Sequence, residues 1–212
     1  DANAVMAVFP ADHVVANSEN FIKVLQKAES LARKGFLVTL GIPPTRPETG
    51  FGYLQQGSKI EGYEGVCHVK QFVEKPDLNT AKLYLEEGNY FWNCGVFVWK
   101  ATTLLEELQQ YAGNIYSQLE NISGCLQNSK GNNTYLELSE KGQGLFSSLP
   151  SISIDYAVME KSSKVVLIPA DIGWNDVGAW NALDDVSEKD SSGNIINGNV
   201  QALDCQNSII QG

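Results

Sequence analysis

The sequence predicts an α/β fold, and three observations carry that prediction. Short apolar runs at Ala4–Phe9, Phe36–Leu40 and Val165–Ile168 read as buried strands. Between the first two, apolar residues recur at Phe21, Val24/Leu25, Ala28 and Leu31/Ala32, the spacing of an amphipathic helix. Strand, helix and strand in that order make a β-α-β unit. Finally, two of the runs are followed closely by an aspartate. Asp12 lies in Phe9-Pro-Ala-Asp-His13, and Asp176 lies in Gly173-Trp-Asn-Asp-Val-Gly178. Open α/β sheets bind ligands at the carboxyl ends of their strands, which is where these acids would fall.

Taken in order, Asn17 or Ser18 caps the first helix and Gly35 closes it. The stretch Gly41–Tyr53 holds too many glycines and prolines to be regular and is expected to be a loop. Val66–Val73 alternates imperfectly and reads as a strand. Asp77 caps a helix that runs through Tyr84–Glu87 and stops at Gly88. Phe91–Trp99 is dense in aromatic and β-branched residues and is a strong strand candidate. Residues 101–149 have a helical pattern broken at Gly113, Gly124 and Gly131. Another helix is expected near Ser153, with Asp155 in its first turn favouring the dipole. After the strand Val165–Ile168, Val177–Val186 is expected to be helical. From Gly193 the pattern shortens, with turns at Gly193-Asn194 and Asn197-Gly198. Asn194–Val200 can be read as the first rung of a β-solenoid.

A chain of 212 residues with 43% apolar and 19% charged residues fits one globular domain, with the start of a second. The expected division is an incomplete domain over residues 1–190 and the start of a C-terminal β-rich segment over 191–212. The net charge of −10 and the presence of only two arginines, Arg33 and Arg46, argue against a nucleic-acid partner. A small phosphorylated ligand is compatible, because one Mg²⁺ and one or two lysines supply the local positive charge. No apolar run is long enough to span a membrane, and no signal peptide is evident. Cys67, Cys94, Cys125 and Cys205 are widely spaced, which favours reduced thiols and a cytoplasmic location. The abrupt ends predict a chain excised from a longer protein.

Individually, the candidate residues are ambiguous. Asp12 and Asp176 serve equally as turn or capping residues. Their shared context, an acid just beyond a strand, raises the reading of a jointly held Mg²⁺, which needs only one or two carboxylates beside substrate phosphates. Glu74 and Lys75 close the strand before Pro76. On a regular strand they would point to opposite faces, so they share a ligand only if the chain bends there. Gly50 and Gly52 could let backbone approach a ligand, or simply belong to an exposed loop. Asn93 interrupts an apolar strand and must be hydrogen-bonded, either to the protein or to a ligand. His13 and His68 lack metal-ligand spacing and are expected to be structural. The four tryptophans are expected in the core, although Trp174 could wall a pocket.

Six strings occur together: 9–13 (FPADH), 44–53 (PTRPETGFGY), 72–77 (FVEKPD), 91–97 (FWNCGVF), 153–160 (SIDYAVME) and 173–180 (GWNDVGAW). In this order and over nearly the whole chain, they resemble the mannose-1-phosphate guanylyltransferases (GDP-mannose pyrophosphorylases) of the sugar-nucleotide nucleotidyltransferase superfamily. The resemblance implies a Rossmann-like nucleotidyltransferase domain with a mixed sheet. It implies GTP and mannose 1-phosphate as substrates and Mg²⁺ as the cofactor, held by Asp12 and Asp176. It gives Lys75 the sugar phosphate, Glu74 the sugar hydroxyls, Asn93 and the Gly50–Gly52 backbone further sugar contacts, and Asp155 a place in the pocket. The family's glycine-rich nucleotide loop does not occur in this sequence. The domain is therefore expected to be N-terminally truncated, and these 212 residues alone are expected to be inactive and less stable than the parent. Uridylyl- or thymidylyltransferase activity, a non-catalytic sugar-phosphate-binding subunit and a siteless structural fragment are the competing readings. The sequence leaves homo-oligomer formation and a following isomerase domain open.

Overall fold

The computed structural model describes residues 3–129, 132–177 and 187–212. In chain order the elements are β1 (Val5–Val8), β2 (Val14–Val15), α1 (Ser18–Arg33), β3 (Leu37–Ile42), β4 (Gly52–Lys59), β5 (Cys67–Val73), α2 (Leu78–Glu87) and β6 (Tyr90–Lys100). Then follow α3 (Ala101–Tyr111), α4 (Gly113–Ser123), β7 (Leu126–Ser129), β8 (Asn132–Leu138), α5 (Glu140–Ser147), a π-helical turn (Asp155–Met159), β9 (Val165–Pro169), β10 (Trp174–Asn175), β11 (Ile195–Asn197) and β12 (Ile209–Gln211). They fall into two compact units: Asp1–Phe9 with Ile22–Ala170, and Pro10–Phe21 with Asp171–Gly212. The helix expected over 177–186 lies, beyond Val177, outside the described residues.

The first unit is built on a six-stranded sheet of order β1-β6-β3-β9-β5-β4, with β6 also pairing β4. The sheet is mixed, because β3 and β9 run parallel while the other pairs are antiparallel. Strands β1 and β3 both run against β6, so the expected β-α-β unit is present with β6 inserted between its strands. The expectation that β1 is buried does not hold. Among the described residues it is an edge strand bonded to β6 alone, and Met6 and Val8 remain 41% and 40% exposed. An apolar run identifies a strand but not its place in the sheet.

The core gathers Leu37 of β3, Leu54 of β4, Cys67 and Phe72 of β5, Phe97 and Trp99 of β6, Leu108 of α3 and Val165 and Leu167 of β9. Ala157, Val158 and Met159 of the π-helical turn pack into the same cluster. Helix α2 follows the sequence rules closely. Asp77 accepts hydrogen bonds from the backbone of Asn79 and Thr80, and Gly88 takes the left-handed conformation at the end. Two segments depart from expectation. Strand β4 was hidden in a polar stretch after the breaker-rich loop, which spans only residues 43–51. Leu126–Ser129 and Asn132–Leu138 pair as the antiparallel strands β7 and β8 rather than forming helix. Gly124 ends α4, and the following Asn, Ser and Gly residues are turn formers between short alternating runs.

Helix α3 buries a charge. Glu107 is 3% exposed and meets the Lys164 ammonium at 2.9 Å. Hydrogen bonding to Glu107 raises Lys164 above its ordinary range. Replacing Lys164 by Met leaves that carboxylate buried without its cation and is expected to cost about 3 kcal/mol in urea unfolding. The double change Lys164→Met with Glu107→Leu is expected to recover most of the loss, because both ends then become apolar. A double variant as unstable as the single one would refute this account.

In the second unit, β2 pairs antiparallel with β10. The backbone N–H groups of Ala16 and Asn17 extend the contact to the carbonyls of Gly173 and Ile172. Farther on, β11 lies parallel to β12, with Ile195 opposite Ile209. Buried Asn194 ties this coil together by donating to the Cys205 carbonyl and accepting from the Ser208 amide. These parallel neighbours are joined without a helix. Among the described residues, no helix is long and apolar enough to cross a membrane.

Candidate active site

In the first unit, three strands place Gly41, Asn93 and Gly52 in one row, with Asn93 of β6 opposite Gly41 on one side and Gly52 on the other. The pair Tyr53–Val73 is the last of the β4–β5 ladder, so Glu74 leaves β5 beside Gly52. A Cβ added to Gly52 would collide with Oε2 of Glu74 and lie 3.4 Å from Cβ of Asn93. The missing side chain of Gly52 is therefore the space that the Glu74 carboxylate occupies. Glu74 is 14% exposed there, and its Oε1 lies 3.1 Å from Nζ of the more open Lys75.

That contact resolves the parity problem of adjacent strand residues. The ladder ends at Val73, and Lys75 adopts φ +48°, a left-handed conformation that costs a side-chain-bearing residue roughly 1–2 kcal/mol. The kink turns both side chains to one place. The Lys75 ammonium is raised above its ordinary range by the hydrogen bond to Glu74 and then by that carboxylate's charge, with smaller contributions from Tyr156 and Asp155. Lys75 is thus a firm cation at neutral pH.

Asn93 is a bridge. Its Oδ1 accepts from Thr39 Oγ1 at 3.0 Å and from the Gly95 amide at 3.3 Å, and its Nδ2 donates to Asp155 Oδ1 at 3.2 Å. Asp155 does not open a regular α-helix, as its sequence context suggests. It opens the π-helical turn, closed by the Glu160 amide on the Asp155 carbonyl at 2.9 Å. Such turns widen a helix by one residue and recur at functional positions.

The loop that carries Gly50 is held by Glu48, which sequence reasoning missed. Glu48 Oε1 accepts from the amides of Thr49 and Gly50, and Oε2 accepts from Arg46. Its backbone exchanges two hydrogen bonds with the Tyr53 hydroxyl. Burial raises the Glu48 carboxyl, but the Gly50, Arg46 and Thr49 hydrogen bonds outweigh it, and the net shift is downward. The Arg46 guanidinium lies over Trp92, and Phe51 meets the same ring edge-on. Gly50 thus gives its amide to the loop itself, while Gly52 makes room for Glu74.

Asp12 and Asp176 both lie in the second unit. The β2–β10 ladder ends with Asn175 opposite Val14, so Asp176 is one residue beyond that pair and Asp12 two residues before it. Both acids therefore stand at the same end of the ladder. Asp12 is 80% exposed, and its Oδ1 lies 3.9 Å from His13 Nε2. His13 has a structural role, as expected, with Nδ1 accepting from the Trp174 indole at 3.0 Å. Beyond Asp176 the chain turns sharply, with Val177 at φ +44° and its amide on Asn175 Oδ1. Among the described residues, no group of three His, Cys, Asp or Glu side chains is disposed to hold a metal. Two carboxylates at one ladder end make no all-protein cage; carboxylates of this kind are what a hard cation takes beside phosphate oxygens and water.

A family model for the nucleotidyl transferases matches residues 1–193. The chain belongs to the nucleotidyl transferase family. Curated relatives include the xanthan biosynthesis protein XanB of Xanthomonas campestris pv. campestris (strain B100), 42% identical over 98% of this chain and 42% of that protein. Mannose-1-phosphate guanylyltransferase of Salmonella montevideo is 40% identical over 97% of this chain and 43% of that protein. Among solved structures, mannose-1-phosphate geranyltransferase from Thermus thermophilus superposes with a TM-score of 0.76 at 33% identity, covering 91% of this chain and 52% of that one. Mannose-6-phosphate isomerase from Helicobacter pylori gives 0.73 at 32% identity, covering 82% and 65%. This nucleotidyl transferase chain spans about two fifths of the length of the curated relatives it matches.

Proposed function

We propose that this chain carries the sugar-phosphate and metal residues of an enzyme that transfers GMP from GTP to mannose 1-phosphate, giving GDP-mannose and pyrophosphate. The observation that carries the proposal is the Glu74–Lys75 kink over Gly52, a fixed carboxylate and cation side by side, in a chain 40% identical to a protein named mannose-1-phosphate guanylyltransferase. In this reading the Lys75 ammonium binds the sugar phosphate and aims one of its oxygens at the α-phosphorus of GTP. A new P–O bond forms as the α–β bridge breaks, and the electron pair leaves with pyrophosphate. Glu74 accepts hydrogen bonds from sugar hydroxyls, and Asn93, held by Thr39 and Asp155, presents its amide to the same ring. The Gly50–Gly52 backbone lines the sugar side. Asp12 and Asp176 hold Mg²⁺, which neutralises charge on the α-phosphate and on the departing pyrophosphate. Positioning and electrostatics supply the rate, and no covalent nucleophile is needed. The substrates place the enzyme in the cytoplasm.

The test is an assay of the full-length protein with mannose 1-phosphate and, in turn, GTP, UTP and dTTP, with Mg²⁺ or with chelator. GDP-mannose and an equimolar amount of pyrophosphate are expected from GTP, with chelator abolishing turnover. A kcat/KM for UTP or dTTP equal to that for GTP would move the assignment to another base. Absence of any nucleotide sugar would end it.

A further inference from the structure

The amide of Asn93 is held by an irregularity in its own strand. In the ladder between β3 and β6, Thr39 faces Phe97 and Gly41 faces Asn93, so Leu40 alone stands against Cys94, Gly95 and Val96. Strand β6 bulges there, and Gly95 takes φ +70°. A bulge frees backbone groups that a regular ladder would pair, and inside a protein they need other partners. Asn93 Oδ1 accepts the Gly95 N–H at 3.3 Å, and the Val96 carbonyl lies 3.3 Å from Thr39 Oγ1. The Thr39 hydroxyl has one hydrogen, shared between that carbonyl and Asn93 Oδ1, which is nearer at 3.0 Å. With Gly95 and Thr39 both donating, the two lone pairs of Oδ1 are taken. On the other side, Nδ2 gives one hydrogen to Asp155 Oδ1 at 3.2 Å. Asn93 therefore has no acceptor left for a ligand, only its second Nδ2 hydrogen.

The geometry points to Thr39 as a positioning residue whose buried hydroxyl holds the Asn93 amide, so that Asn93 meets mannose 1-phosphate only as a hydrogen-bond donor. The Gly95 amide and the Asp155 carboxylate fix which end of the side chain is which, and Thr39 adds the bond that keeps it from rocking. Thr39 is fully buried on the face of β3 that it shares with Gly41, and it acts through Asn93 alone. This inference rests on the mannose 1-phosphate reading above and adds to it a residue outside the binding set.

The test compares Thr39→Val, which keeps the shape and loses the hydroxyl, with Thr39→Ser, which keeps the hydroxyl and loses the methyl, both in the full-length protein. A packing role makes serine the worse change, and a positioning role makes valine the worse one. The first measurement needs no ligand: solvent exchange of the Asn93 Nδ2 protons by NMR. Thr39→Val is expected to speed it by on the order of 10-fold, the worth of one buried hydrogen bond, with Thr39→Ser near wild type. The second is calorimetric titration with mannose 1-phosphate. Thr39→Val is expected to weaken binding by about 10-fold, Thr39→Ser to stay within about 2-fold of wild type, and the valine penalty to shrink to about 2-fold or less in an Asn93→Ala background. Asn93→Asp, which keeps the acceptor for Thr39 and Gly95 but has no N–H, should bind at least as weakly as Asn93→Ala. Unchanged exchange in Thr39→Val, or serine as damaging as valine, overturns the hold. Faster exchange with unaltered affinity, a penalty that persists without Asn93, or wild-type binding by Asn93→Asp overturns the positioning of a donor. Failure of the wild-type protein to bind mannose 1-phosphate sinks the substrate assignment instead, and leaves the exchange measurement to judge the hold.

Discussion

Replacing Asp176 by Asn in the full-length protein is expected to lower kcat/KM by roughly three orders of magnitude, about 4 kcal/mol of transition-state stabilisation. The substitution keeps the shape of the side chain and removes one of the two carboxylates assigned above to the metal, at the end of the β2–β10 ladder. The sharp turn that follows is held by Asn175, whose side chain accepts the Val177 amide, so the local backbone has its own support. The thermal midpoint should therefore move by a few degrees at most, as for a change outside the core. Asp12→Asn is expected to behave alike. The pair together should be little worse than the more damaging single change if, as proposed, both hold one ion, because two ligands of one ion fail as a unit. Steady-state rates measured across a wide range of Mg²⁺ check this, and the variants should need more Mg²⁺ for half-maximal rate. Wild-type kcat/KM at every Mg²⁺ concentration would remove Asp176 from the metal assignment.

What could be read in the sequence follows from how far each signal reaches. Helix α2 is fully local, since Asp77 and Gly88 mark its ends within the chain itself. Strands β3 and β9 announce themselves as apolar runs because nearly every residue is buried, β6 by its aromatic density, and β5 only by an imperfect alternation that leaves Lys70 and Gln71 exposed. Whether a strand lies at the edge or the centre depends on partners far along the chain, and β1 shows the consequence. The β7–β8 hairpin was masked for a related reason. Its short runs fit helical and alternating periods equally well, and only pairing decides between them.

The candidate residues show the same division. Asp12 and Asp176 lie far apart in sequence and stand at the same end of the β2–β10 ladder, a placement made by two strands too short for periodicity to reveal. The convergence of Glu74 and Lys75 was not available from strand parity, because it depends on a single unfavourable φ angle. The turn that Asp155 opens was beyond reach for another reason, since its five-residue closure belongs to a rare helix type.

Gly52→Ala is expected to separate binding from folding more cleanly than any change to the charged residues themselves. The new methyl would collide with Glu74 Oε2, the far end of a side chain that can rotate away. Its other near neighbours, Asn93 Cβ at 3.4 Å and Phe72 Cε1 at 3.5 Å, are at ordinary packing distance, and the Gly52 backbone has no left-handed φ. Stability should therefore change by only about 1 kcal/mol. Gly41, in the same row, is the opposite case, since a Cβ there would run into Leu167 and Phe91. At Gly52 the loss falls on the carboxylate. Once displaced, Glu74 leaves the place where it meets Lys75 and where the proposed reading puts the sugar, and mannose 1-phosphate affinity should drop by roughly 100-fold, the cost of two disrupted charge-assisted contacts. Glu74→Ala should lose a similar amount. Adding Gly52→Ala to Glu74→Ala should then cost almost nothing more, because the methyl would fill vacated space. Calorimetric titration of the four proteins, with urea unfolding as the control for folding, decides the matter. If Gly52→Ala binds mannose 1-phosphate as tightly as wild type, the carboxylate over Gly52 is not a sugar ligand. If its penalty persists unchanged in the Glu74→Ala background, the glycine serves something other than Glu74.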